Sequence, residues 1–339
     1  MGEYYRCLIV AAALGRRWPG SGLEFVVSRQ AGYADRVPYP AHLLDSSPTF
    51  ATDAVTALLH ERRPQIAVFD STGRRAQLAA AQRLGIRTVY VSSRPSARAR
   101  GFRLRSMRYL DQHWLVAPRV GAPALRWRER LLLRWMGRPE IVRVDTVVAE
   151  PETKRAGRLY GELGIEYGRY LLACAGGGGY RSSGVPDSEI FAAAAAAAGR
   201  EAGTPAVVVM GPNYRATGSG HEGVRRIGSA SIEQMSDLMD GAALVLSGGG
   251  SLMMQALALR RPCIAVPLTG DQERRVADMA QAGCVLAVPL DAQRIAQALV
   301  QVLTDPARRT SLEQQVAACG LRNGVPELID ALARLAAEG

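Results

Sequence analysis

Residues 247–283 read SGGGSLMMQALALRRPCIAVPLTGDQERRVADMAQAG. The glycine run Gly248–Gly250 follows the apolar stretch ALVLS (243–247), and apolar residues then recur at helical spacing through LMMQALALRR (252–261) until Pro262. CIAVPL (263–268) has the length and bulk of a buried strand, and DQERRVADMAQAG (271–283) returns to the helical period and closes on Gly283. Strand, glycine turn, helix, strand and helix in this order make the repeating unit of a parallel sheet covered by helices. Glycines at such a turn let backbone N–H groups close on an anion, and the helix N-terminus adds its partial positive charge.

The same alternation extends in both directions. Upstream, YLLACA (170–175) reads as a strand running into GGGG (176–179), followed by a helix at 190–203, a strand AVVVMG (206–211) and a helix SIEQMSDLMDG (231–241). Downstream come CVLAV (284–288) and helices over 294–305 and 325–339. The first half shows its own cycle: LEFVVS (23–28) as a strand, a loop, then a helix over 52–64. IAVFD (66–70), TVYVSS (88–93), HWLVAP (113–118) and IVRVDTV (141–147) read as further strands, with a helix over 73–85. The expected fold class is α/β, with two doubly wound Rossmann-like domains facing each other across a cleft, where the carboxyl ends of the strands bind ligands. The boundaries fall at 1–148 for the first domain, 149–168 for a charged linker and 169–324 for the second. The helix at 325–339 closes the chain, with the first domain as the surface it packs back on.

Composition limits the function classes. With 339 residues, 48% of them hydrophobic, the chain can bury two cores, and no apolar run reaches the length of a membrane span. The first apolar run, CLIVAAALG, has neither the basic flank nor the cleavage site of a secretion signal. The five cysteines form no C-x-x-C pair, which suits a reduced, cytoplasmic protein with thiols in its core. The charge is divided: residues 1–145 hold 24 arginines against 11 acidic residues, whereas residues 146–339 hold 18 basic against 20 acidic. One half therefore attracts anions and the other does not. With four histidines and no clustered ligand spacing, no metal site is expected. His221, in GSGHEG, reads as a solvated loop residue.

Neither glycine loop is a Walker loop, and neither fits Gly-x-Gly-x-x-Gly with a downstream acid. The whole run over 247–283 instead resembles GT-B glycosyltransferases: Gly-Gly-x-Ser, an acid or amide four residues on, Ala-Leu with a following Pro, Pro-x-x-x-Asp-Gln, and Ala before Gly. It is most similar to the bacterial lipid-intermediate N-acetylglucosaminyltransferases and the nucleotide-sugar transferases and hydrolases near them, over about residues 165–320. The resemblance implies that Gly176, Gly177, Gly178, Gly179, Gly248, Gly249, Gly250 and Ser251 hold a diphosphate, and that Ile232 and Met235 lie where the nucleobase is gripped. It also implies that Asp271 and Gln272 hold the donor sugar. Gln255 stands where the family has a ribose-binding Glu; an amide keeps one acceptor but loses the charge-assisted bond. Asp271 is equally suited to starting a helix. A UDP-sugar is the donor the resemblance implies, with no metal and no further cofactor, because helix dipoles and loop amides stabilise the leaving diphosphate.

The chain opens MGEYYRCLIVAAAL, an amphipathic helix with Gly2 at its start and no strand ahead of it. In the resembled family a strand and a Gly-His loop precede this helix. Glu3 takes the place of the His proposed as the base that activates the nucleophile, and a carboxylate can serve there if its surroundings tune it. A favourable first-turn acid is the equal alternative reading of Glu3. A parallel sheet without its first strand exposes an edge, so an upstream strand is expected. Asp70, ending IAVFD, is the second candidate for base or acceptor contact; capping of the next helix competes with that role.

Residues 94–143 hold 13 arginines and 3 acidic residues, with Trp114, Trp127 and Trp135 among them. ALRWRERLLLRWMGR (124–138) places Leu125, Leu132, Trp135 and Met136 on one helical side among Arg126, Arg130 and Arg134, a pattern that suits an anionic bilayer. An inward-packing helix with solvated arginines is the alternative, and nucleic acid is disfavoured because no recognised motif accompanies the charge. The resulting expectation is a transferase that passes a sugar to a lipid-linked or anionic acceptor, cytoplasmic and peripheral on the inner face of the membrane. A nucleotide-sugar hydrolase or epimerase, and a catalytically silent partner subunit of the same fold, are the rivals.

Overall fold

The computed structural model describes residues 2–120, 125–177, 179, 184–214 and 223–337. It separates into an N-terminal unit, essentially Glu3–Val147 joined by the last helix, and a C-terminal unit over Val148–Asn323.

The N-terminal unit begins with helix α1 (Gly2–Arg17), strands β1 (Phe25–Ser28) and β2 (Ala41–Leu44), helix α2 (Thr52–Arg62), strand β3 (Ile66–Asp70), helix α3 (Arg75–Arg83) and strand β4 (Arg87–Ser92). Short helices α4 (Pro95–Gly101) and α5 (Leu104–Met107), strand β5 (Gln112–Val116), helix α6 (Trp127–Met136) and strand β6 (Glu140–Val144) follow. β3, β4, β5 and β6 lie side by side in that order, all parallel, whereas β1 and β2 form a separate parallel pair. All five residues of β5 are buried, as expected of a strand with helices over both faces. Phe69, Leu78, Tyr90 and Leu110 form one core with Val55 and Leu59 of α2, and Leu44 of β2 packs against it. β1 and β3 differ from the inner strands. Among the described residues neither has a second neighbour, and Val26 and Val68 are 37% and 42% exposed. The sheet is thus split into a pair and a quartet.

The C-terminal unit holds helix α7 (Thr153–Leu163), strand β7 (Leu171–Cys174), helix α8 (Asp187–Ala202), strands β8 (Ala206–Val209) and β9 (Val224–Ile227), helix α9 (Ile232–Gly241) and strand β10 (Leu244–Gly248). Helix α10 (Ser251–Ala258), strand β11 (Cys263–Val266), helix α11 (Gly270–Gln281), the two-residue strand β12 (Leu286–Ala287) and helices α12 (Ala292–Leu303) and α13 (Pro306–Ala318) complete it. Its six strands are parallel in the order β12-β11-β10-β7-β8-β9. The connections from β7 and β10 therefore run to opposite sides, which makes their boundary the topological switch point. The last helix, α14 (Val325–Ala337), belongs to the N-terminal unit. It packs beside β6, where Gln112 Nε2 donates to the Ala331 carbonyl at 2.9 Å and Arg334 meets Glu140 at 2.7 Å.

Two expectations are corrected here. The 149–168 stretch is not an open linker: α7 buries Ala156, Leu159 and Tyr160, and Arg155 binds both oxygens of buried Asp237 at 2.6 and 2.9 Å. Nor are all five cysteines reduced thiols, since Cys284 and Cys319 form a disulfide with their Cα atoms 6.0 Å apart. Cys174 and Cys263 are buried free thiols, and Cys7 is partly buried. No helix among the described residues is long and apolar enough to cross a membrane.

Candidate functional site

Three loops leave the carboxyl ends of three adjacent strands in the C-terminal unit. The register sets Cys174 of β7 beside Ser247 of β10, and Gly248 of β10 beside Val266 of β11. The loop after β7 turns on Gly176, whose φ of +102° suits glycine. The Gly177 carbonyl accepts from the Asn213 N–H at 2.9 Å. Gly178 lies outside the described residues, as does His221.

The loop after β10 is glycine for steric reasons. A Cβ on Gly249 would lie 2.3 Å from Val276 Cγ2 and 3.1 Å from Gln272 Cβ. One on Gly248 would lie 3.0 Å from Leu268 Cδ1. Helix α11 therefore presses directly against this backbone. Gly250 is the N-cap of α10 and brings no side chain to its first-turn amides, which have no intrahelical acceptor. Ser251 opens that helix, and Gln255 is buried in its second turn.

The third loop leads into α11, whose first turn carries Asp271 and Gln272. Gln272 is buried and its Oε1 accepts from the Leu268 N–H at 3.0 Å, so the side chain fixes the β11–α11 turn. Exposed Asp271 accepts from Thr269 Oγ1 at 2.7 Å. Ile232 and Met235, both half-buried, lie in the first turn of α9. Ser231 caps that turn, accepting from the Gln234 N–H at 3.2 Å while Gln234 Oε1 accepts from the Ser231 N–H. Sequence reasoning missed Arg275, whose Nη1 donates to the Gly249 carbonyl at 3.0 Å. The available signal was its position four residues after Asp271, on the same helical face.

In the N-terminal unit, Glu3 and Asp70 fall within one arginine network. Arg6 of α1 meets Asp70 at the end of β3 in a bidentate pair, Nε to Oδ2 and Nη2 to Oδ1 both at 2.7 Å. Ser71 Oγ also donates to Asp70 Oδ1 at 3.3 Å. Burial raises the Asp70 carboxyl from its ordinary value against the pull of Arg6. The doubly hydrogen-bonded geometry keeps the two as an ion pair at neutral pH. Burial also pushes the neighbouring Cys7 thiol up. Glu3 contacts Arg94 at 3.1 Å. Burial works against its charge, but a backbone hydrogen bond together with Arg94 and Arg6 holds Glu3 below the usual carboxylate value. Of the two acids, Asp70 has both oxygens committed to Arg6, and Glu3 is the more accessible carboxylate, its side chain 27% exposed against 5%.

Helix α6 presents two apolar faces. Leu125, Leu132, Leu133 and Met136 pack against Phe102, Met107 and Leu115. Buried Glu129 anchors this inner face, accepting from Arg98 Nε and from the Arg126 N–H at 2.8 Å each. Trp135 does not join Leu132 and Met136 as the helical pattern predicted. It points outward with Trp127 and Leu131, and the three are 74%, 64% and 60% exposed. Their spacing of four residues makes one stripe, beside exposed Arg126, Arg130 and Arg134, with the Arg128 guanidinium 5.1 Å over the Trp127 ring. Among the described residues no group of three His, Cys, Asp or Glu side chains is arranged to hold a metal ion.

No protein-family model matches the sequence, and no curated protein matches it by sequence. Solved structures do match in shape. Spinosyn forosaminyltransferase SpnP is 15% identical over 99% of this chain and 97% of its own, with a TM-score of 0.63. Glycosyltransferase VinC, solved in complex with DTDP, is 13% identical over 100% and 97%, also with a TM-score of 0.63. A Listeria monocytogenes protein assigned as a UDP-N-acetylglucosamine 2-epimerase is 12% identical over 93% and 88%, with a TM-score of 0.56. At such identities the likeness carries the fold, which is GT-B with two Rossmann-like domains.

Proposed function

We propose that this GT-B chain is an inverting glycosyltransferase that moves an N-acetylhexosamine or hexose from a UDP-sugar to a lipid-linked or otherwise anionic acceptor, without a metal. The observation that carries the reading is the set of three loops on β7, β10 and β11 at the switch point of the C-terminal sheet, one of them pressed so closely by α11 that only glycine fits. That the shape neighbours include proteins named as glycosyltransferases supports the same reading.

In this reading the loop glycines and Ser251 hold the diphosphate, Ile232 and Met235 border the base, Gln255 meets the ribose, and Asp271 with Gln272 meets the sugar. The acceptor oxygen attacks the anomeric carbon from the face opposite the diphosphate. Its proton passes to Glu3, the C–O bond to the β-phosphate breaks, and the nucleoside diphosphate leaves with the bonding pair. Loop amides and the α10 dipole stabilise the charge that develops on it. Of the two acids Glu3 is the more accessible acceptor of the proton, since Asp70 is locked to Arg6. Against its burial, however, Arg94 and Arg6 hold Glu3 below the usual value and make it a weaker base than an ordinary carboxylate. Gln255 favours a second donor class. A neutral amide has less to offer two ribose hydroxyls than a carboxylate, so a deoxyribose donor of the dTDP type fits, and VinC was solved with DTDP. The basic N-terminal half presents the acceptor. Its α6 stripe of Trp127, Leu131 and Trp135 docks on anionic lipid, tryptophans at the headgroups and arginines on the phosphates.

The test is a donor panel. The full chain is incubated with UDP-, dTDP- and GDP-sugars, with and without membrane extract, and both transfer and free sugar are measured. Transfer that needs the extract supports the proposal. Sugar release or epimerisation without acceptor assigns the protein to the rival reactions, and no binding of any conjugate by calorimetry refutes it. For the membrane component, Trp127→Ser/Trp135→Ser is expected to lower binding to vesicles containing anionic phosphatidylglycerol at least tenfold, and unchanged binding overturns that component.

A further inference from the structure

The loop Gly248–Ser251 is not held by glycine flexibility alone. The Gly249 N–H donates to the Val266 carbonyl at 3.1 Å, extending the β10–β11 ladder by one bond. Its Cα faces Val276 and Gln272 with no space for a side chain. Its carbonyl accepts from Arg275 Nη1 at 3.0 Å. All three groups of this residue are therefore fixed by β11 or α11.

Peptide planarity gives the carbonyl contact a consequence. In a trans peptide the C=O of one residue and the N–H of the next point in opposite directions. With the Gly249 oxygen drawn toward Arg275, planarity sets the N–H of Gly250, the N-cap of α10, in the opposite direction, away from that guanidinium. Without the guanidinium, the peptide could rotate and bring a carbonyl oxygen, the wrong pole for an anion, to the loop's open side.

We propose that Arg275 is a positioning residue of the diphosphate subsite: it pins the Gly249 carbonyl so that the amides of Gly250 and Ser251 converge on a phosphate, and it adds a fixed positive charge beside them. The inference rests on the donor-binding reading above. It gives α11 a second duty, because the helix that begins with the sugar-facing Asp271 also sets the phosphate cradle one turn later. The positive charge takes on part of what a divalent cation does for a leaving diphosphate elsewhere.

The experiment compares the full chain with Arg275→Met, Arg275→Lys and Arg274→Met. UDP and dTDP binding is measured by calorimetry, and uridine and thymidine binding by saturation-transfer NMR. Arg274 is an exposed neighbour, its side chain 91% exposed, and serves as the control. Arg275→Met is expected to weaken the better-bound diphosphate about ten- to hundredfold, the range for a charge-assisted hydrogen bond, with nucleoside affinity within twofold of the parent. Arg275→Lys is expected to recover part of the loss, and Arg274→Met to show none. Equal diphosphate affinity in the parent and Arg275→Met overturns the proposal. So does a parallel loss of nucleoside and diphosphate binding, which assigns Arg275 to general folding. If the parent binds neither UDP nor dTDP, the donor reading itself fails, a result separate from any effect at Arg275.

Discussion

Replacing Gly249 by alanine tests whether α11 shapes the loop. The new Cβ would lie 2.3 Å from Val276 Cγ2, and Val276 is only 1% exposed, so the methyl has nowhere to retreat. Carbon atoms settle at about 3.5–4.0 Å, so loop and helix must part by more than about 1 Å, and overpacking of this kind destabilises by about 1–3 kcal/mol. Val276→Ala removes two buried methyl groups, worth about 1.6 kcal/mol in transfer alone. Combined, the two changes partly cancel, because the added Cβ enters the space that the valine vacates. Urea denaturation of Gly249→Ala, Val276→Ala and the double variant is expected to show the double variant more stable than the sum of the single losses by about 1–2 kcal/mol. The same series in donor-binding calorimetry is expected to show Gly249→Ala weakest and the double variant partly restored. Losses that add to within about 0.5 kcal/mol, the behaviour of independent sites, refute the claim that these atoms compete for one space.

His113, wholly buried against Gly101, is pushed down by burial from 6.5 to about 3. The unfolded chain gains a proton below pH 6.5 that the folded protein does not take, so stability falls as pH drops, by about 2 kcal/mol between pH 6.5 and pH 5. Urea midpoints across that window check this, and the His113→Gln variant is expected to lose the slope. Cysteines 284 and 319 close a loop across 35 positions, worth up to about 4 kcal/mol on chain-entropy grounds. Reductant or Cys319→Ser is expected to lower the unfolding midpoint, and an unchanged midpoint rejects the crosslink's role. Asp70→Asn leaves Arg6 charged with its side chain 11% exposed, and is expected to destabilise by about 3–5 kcal/mol. Arg6→Met/Asp70→Leu should recover most of this in chemical denaturation, and a loss below about 1 kcal/mol in the single variant contradicts a buried pair.

The legible parts of the fold were those where one physical demand acts alone. CIAVPL and YLLACA contain β11 and β7 because strands covered by helices carry unbroken apolar runs, and IAVFD matches β3 residue for residue because that end strand keeps an apolar run despite exposed Val68. β2, with sequence AHLL, and β9, with VRRI, were missed: each ends its sheet, so half-exposed positions admit His and Arg. α7 was hidden by its charges, although its inner face buries Leu159 and Tyr160. Nothing in the spacing of Cys284 and Cys319 announces a bond, since the intervening chain folds as β12, α12 and the whole of α13. Gly249 stands out in the sequence because no other residue fits there, whereas Arg275 meets a backbone carbonyl and is marked only by its place four residues after Asp271. Trp135 misled because a helix with apolar residues on two faces gives no single direction to its pattern.

The division of the N-terminal sheet has a consequence for how this protein behaves in company. Along β1 and again along β3, a rank of amide and carbonyl groups stands ready with no strand among the described residues to receive it, each marked by a solvent-facing valine. Open ladders of that kind act as templates, so any extended segment that meets them, including one from another copy of the chain, finds half of a zipper already laid out.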